Sequence, residues 1–68
     1  MDILKDFIGS VTKRSKALGL DPSAVLIQAD ITPVLWDHWT SGRWSPTVQS
    51  MQKVFDALDK LERHQTAA

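Results

Sequence analysis

The chain has 68 residues, no cysteine, and eight Lys and Arg balanced by eight Asp and Glu, so its formal net charge is zero. That length makes a single domain near the lower limit for a core without staples, and the missing cysteines exclude a disulfide framework and a thiolate metal site. Zero net charge argues against a wholly electrostatic nucleic-acid binder, yet the charges are uneven: Lys13, Arg14 and Lys16 cluster, while Asp2, Asp6, Asp56, Asp59 and Glu62 lie toward the two ends.

Residues 2–18 read as an amphipathic helix, because Ile3, Leu4, Phe7, Ile8, Val11 and Leu18 recur at helical spacing between charged positions. Gly19 suits the left-handed conformation that ends a helix. Asp21 and Pro22 open a second helix over 22–29, as N-cap and first helical residue, with Val25, Leu26 and Ala29 turned inward. Thr32 caps a third helix over 33–41, which Gly42 ends. A fourth is expected over 46–64, with Pro46 at its first position after Ser45 and a buried stripe of Val48, Met51, Val54, Phe55, Leu58 and Leu61. Residues 65–68 read as a frayed tail. Nothing alternates with period two, so the expected class is all-α.

The segment "DIT" leaves only about three residues between the second and third helices. Two short helices joined so tightly form a helix-turn-helix unit, here over about 22–41. The third is too short to stand alone, since isolated helices below about 12 residues are marginal. A short, protruding helix is, however, what a major groove about 12 Å wide admits. No apolar stretch approaches the ~18 residues a membrane span needs, and nothing resembles a signal peptide. With no staples for an oxidising compartment, a cytoplasmic location is expected.

From Leu20 to Leu58 the chain resembles, without a gap, the lambda-repressor and Cro class of helix-turn-helix proteins. The most specific stretch is "WTSGRWSPTVQSMQKVFDAL": an aromatic, two residues, Gly, a basic residue, two residues and Pro, then an amphipathic helix. "LGLDPSAVLIQADITPVLWDHW" resembles the class's preceding two helices, with Ile31 as the buried turn residue and Trp39 as the last core anchor. The resemblance implies a compact four- to five-helix fold, sequence-specific binding of double-stranded DNA, and regulation of transcription, commonly as a dimer on a two-fold site. Many small members belong to phages and other mobile elements. Two positions depart from the pattern: Asp30 stands where the class has a turn Gly, and Leu26 where it prefers a small residue.

By family position, Pro33, Val34, Leu35, Asp37 and His38 would face the bases. None is Arg, Lys, Asn or Gln, the side chains that supply most bidentate base contacts. Val34 and Leu35 have as good a reason to pack against helix ends as to meet a thymine methyl. Asp37 can accept from cytosine N4, hold an Arg in place, or simply stay solvated. His38 can donate to guanine N7 or to a phosphate. Phosphate contacts are expected from Arg43, Ser45, Thr47 and Gln49 around the start of the fourth helix, from Ser23, and from Lys13 and Arg14. For the last two a solvated helix end is an equal alternative.

Trp39, and with it Trp36, is expected in the core, where Trp→Ala costs about 3–5 kcal/mol. Trp44 is open to three roles: covering the core, stacking on a sugar, or joining two subunits. Leu58 and Leu61, with Trp44, form the expected homodimer interface; the alternative is that these leucines close the monomer against Phe7 and Ile8. No catalytic residues, metal site or cofactor are expected, since Asp37, His38 and Ser41 share one exposed helix without a pocket. The rival to DNA binding is a protein-interaction module, such as an anti-activator, that uses the same fold without touching DNA.

Overall fold

The computed structural model describes residues 3–66, and among these it contains four helices and no strand. They are α1 (Ile3–Ala17), α2 (Pro22–Gln28), α3 (Val34–Thr40) and α4 (Val48–Thr66). The all-α class is as expected. No helix among the described residues is long and apolar enough to cross a membrane.

Each of the first three helices ends in the same way. At the end of α1 the Gly19 N–H donates to Lys16 O (3.0 Å) and the Leu20 N–H to Ser15 O (2.9 Å). At the end of α2 the Asp30 N–H donates to Ile27 O (3.0 Å) and the Ile31 N–H to Leu26 O (2.9 Å). At the end of α3 the Gly42 N–H donates to Trp39 O (3.3 Å) and the Arg43 N–H to His38 O (3.0 Å). This is the Schellman pattern, which needs one left-handed residue per helix end. Gly19, Asp30 and Gly42 supply it, at φ of 73°, 62° and 80°. Asp30 therefore does hold the turn conformation for which a Gly is usual, and Asp tolerates it better than most residues.

The core joins Phe7 and Val11 of α1, Val25 and Leu26 of α2, Trp39 of α3, and Val54, Ala57 and Leu58 of α4. Leu26, bulky at a position where a small residue was anticipated, is fully buried there. Rings run through this core edge to face: Phe7 meets Phe55 at 5.4 Å and Trp39 at 5.7 Å, and Trp39 meets Trp36 at 6.4 Å. Such pairs add about 0.5–1.5 kcal/mol each beyond the area they bury. α3 packs on α1 and α2, while its backbone does not approach that of α4.

Several expectations need correction. The fourth helix starts at Val48, not Pro46, because the Thr47 hydroxyl oxygen accepts the Ser50 N–H at 3.1 Å and so caps it; Ser45 and Pro46 stay outside. It also runs to Thr66, with Gln65 donating to the Leu18 carbonyl at 3.2 Å, so residues 65 and 66, expected in the tail, are part of the helix. Asp2 and residues 67–68 lie outside the described residues. Thr32 offers no side-chain cap to α3, whose cap position is Pro33. Leu58 is fully buried within the chain and has no surface to give a second copy, and Leu61 is half-buried against the same core. Leu58 therefore closes the monomer, as the alternative had it, and Leu61 does so in part.

α1 is tied to α4 by Arg14. Its Nη2 donates to Asp59 Oδ1 and to Glu62 Oε1 at 2.7 Å each, its Nε donates to Glu62 Oε2 at 3.1 Å, and its guanidinium lies 5.7 Å from the Phe55 ring centre. The hydrogen bonds from Arg14 hold the Glu62 carboxyl below its ordinary pKa. The Arg14 guanidinium is shifted upward, chiefly by its hydrogen bond to Glu62, and stays charged at every working pH. Glu62 alone therefore sets the sign. Its contribution is complete above the unfolded carboxylate pKa of about 4.3 and is lost as pH falls through the lower folded value. The pair is partly solvated, so it contributes modestly.

Two measurements test this packing. Ser15 is fully buried with its hydroxyl unpaired, so Ser15→Ala raises stability by about 1 kcal/mol. For a domain of this size that is a rise in Tm of about 4–8 °C, read by thermal circular dichroism, whereas a fall would contradict an unpaired hydroxyl. Arg14→Gln lowers Tm at pH 7 and flattens the loss of stability below about pH 4.3. An acid limb as steep as in the unsubstituted chain would show that the Glu62 carboxyl gains nothing from Arg14.

Candidate nucleic-acid interface

The site is built on α3, which is anchored from one side and open on the other. Trp39, 2% exposed, is its one buried side chain, and Leu35 and Trp36 are half-buried against the core beside it. Leu35 therefore belongs mainly to the inner face, not to the expected reading surface. Val34, at 56% exposed, and the exposed Asp37 share the outer face, one helical turn apart. Pro33 is half-buried at the helix start.

Between the first turns of α2 and α3 lies an open groove of about 450 Å³. Asp21, Ser23, Pro33, Val34, Trp36 and Asp37 are among its lining residues. Ser23 is thus placed next to the outer face of α3. The groove's charged side chains are two carboxylates, Asp21 and Asp37, which repel an anion.

The expected phosphate ligands separate into two groups. Arg14 is engaged by Asp59 and Glu62, so its charge is already neutralised within the chain. The Thr47 hydroxyl is occupied with Ser50, accepting its N–H and donating to its Oγ at 3.0 Å. Lys13, Arg43, Ser45 and Gln49 are exposed, and the Arg43 guanidinium has no carboxylate partner among the described residues. The chemistry left for an anion among the described residues near α3 is the Arg43 guanidinium in the loop after it, with exposed Lys13 and Lys16 of α1 further off in sequence.

His38 and Trp44 come together. The indole lies 4.2 Å from the imidazole, centre to centre, at 34°. The loop that carries Trp44 folds back because the N–H groups of Arg43 and Trp44 both donate to the His38 carbonyl, at 3.0 and 3.3 Å. The Ser41 hydroxyl donates to the same oxygen at 3.2 Å. Trp44 remains 57% exposed, so it covers His38 without entering the core. This contact was missed from the sequence. Its signal was the left-handed Gly42 between two rings six positions apart, which reverses the chain onto α3.

Val48, expected on the buried stripe of the fourth helix, is instead 75% exposed, because it stands at the first turn of α4, beyond the core. Ile27, 60% exposed, is an apolar surface position that the sequence did not single out. Among the described residues there is no group of three or more His, Cys, Asp or Glu that could hold a metal ion. No family model, curated protein or solved structure matches this chain.

Proposed function

We propose that the chain is a sequence-specific regulator of transcription that binds double-stranded DNA through α3 and belongs with the lambda-repressor-like helix-turn-helix proteins. The observation that carries this reading is the two-sidedness of α3: Trp39 roots it, while Val34 and Asp37 stand uncovered on the opposite face. A helix buried under another part of the chain cannot enter a groove, and this one is not so covered. The left-handed turn at Asp30 and the unpaired Arg43 at the far end of α3 support the same reading.

A seven-residue helix is only about 10 Å long and meets few base pairs. A second copy on an inverted repeat, with half-sites about 34 Å apart, supplies the missing contacts. With Leu58 withdrawn into the core, Trp44 and Val48 are the exposed apolar side chains closest in sequence that remain for such pairing. Regulation then follows by occlusion of a promoter, in the cytoplasm, beside the DNA it controls.

A second reading draws on a different observation. Asp21 and Asp37 in the groove repel phosphate, and a protein partner would not be subject to that penalty. In this reading the fold is an interaction module that acts without DNA.

Gel-shift titrations with the duplex upstream of the chain's own coding region separate the two. DNA binding predicts that log K falls linearly with log salt, and that Arg43→Ala weakens binding to all duplexes alike while reducing the slope by about 0.9 per subunit. Equal affinity for that duplex and a scrambled one, or an affinity indifferent to salt, favours the protein-interaction reading.

A further inference from the structure

On the outer face of α3, the Asp37 carboxylate has no hydrogen-bond or ion-pair partner among the described residues. The Thr40 hydroxyl turns back on the carbonyls of Trp36 and Asp37, at 3.0 and 3.2 Å, and the Ser41 hydroxyl on that of His38. The His38 ring is held against Trp44. The Asp37 carboxylate is exposed, with no hydrogen bond or ion pair to any described residue, so no Arg is held in place by it.

We propose that Asp37 is the side chain that determines specificity at this interface, and that it selects cytosine; this rests on the DNA-binding reading above. A carboxylate only accepts hydrogen bonds. In the major groove guanine presents O6 and N7, and thymine presents O4, all acceptors that repel it. The donors are the amino groups of cytosine and adenine. Adenine sets its N7 acceptor directly beside N6, so a carboxylate that meets the amino group also meets a lone pair. Cytosine sets a C5–H beside N4, which carries no such penalty.

The same carboxylate is repelled by every phosphate, whatever the sequence. Asp37 therefore lowers affinity for DNA in general and restores it where an amino group meets the carboxylate, which is discrimination by a repulsive element as well as an attractive one. This assigns a use to a charge that would otherwise only weaken the interface.

Selection from a randomised duplex library, with sequencing of the bound fraction, tests the assignment on the full chain and on Asp37→Ala and Asp37→Asn. The full chain is expected to enrich cytosine at one position of each half-site, by about tenfold over other bases. Asp37→Ala loses that preference and binds random duplex more tightly. Asp37→Asn shifts the preference to adenine, because Asn pairs bidentately with N6 and N7. Enriched motifs that are identical in all three proteins overturn the role of Asp37 and leave DNA binding standing. Absence of any enriched duplex for the full chain overturns the DNA-binding reading and this inference with it.

Discussion

The edge-to-face contact between Phe7 and Trp39 holds α3 to the rest of the protein. The two rings stand 5.7 Å apart at 68°, and Trp39 is the one side chain that α3 buries. A helix of seven residues has no stability of its own, so its position is borrowed from this ring and from the half-buried Leu35 and Trp36 beside it. Phe7 is in turn braced by Phe55 of α4, so the long C-terminal helix supports α3 through two rings without approaching its backbone. That arrangement leaves Val34 and Asp37 exposed on the opposite side of α3, with the Trp44 loop folded over His38 beside them. The exposed face follows from a single-sided anchor.

The chain reaches this arrangement through three left-handed helix ends rather than through long loops. Each reverses direction within a few residues and satisfies carbonyls that would otherwise be left open. At Gly42 the reversal does something more, since it brings Arg43 and Trp44 back over His38. The loop after α3 is thereby fixed against the outer side of that helix, and an unpaired guanidinium is held near the face proposed to meet DNA.

Much of the fold was legible because its signals are local. Gly19 and Gly42 mark helix ends, the apolar spacing of Phe7 and Val11 and of Val54 and Leu58 marks buried stripes, and Asp30 is among the few residue types that accept a left-handed turn. The start of α4 was misplaced because two adjacent signals competed. Ser45 with Pro46 reads as a beginning, but the Thr47 hydroxyl captures the Ser50 N–H, and Arg43 and Trp44 before them are turned toward the His38 carbonyl. The site was less legible because its departures are tertiary. Arg14 reads as a free cation until Asp59 and Glu62, far along the chain but one turn apart on α4, are brought around it. Leu58 reads equally as interface or core until the four helices close around it.

These departures change the electrostatics more than the architecture. A chain of zero net charge can attract DNA only by separating its charges, and the clasp at Arg14 removes one cation from that separation. What remains near α3 is Arg43 on one side and the carboxylates of Asp21 and Asp37 on the other. Such a surface is poor at holding arbitrary duplex and suited to rejecting it.

The claim that α3 presents its outer face to a duplex is tested most directly by nuclear magnetic resonance, following the backbone amides of the labelled chain as duplex DNA is added. The account predicts shifts concentrated at Val34, Asp37, His38 and Arg43, with the amides of Val54 and Leu58 unmoved. Shifts confined to the α4 face of Lys53, Lys60 and His64, or none at any duplex concentration, would contradict it.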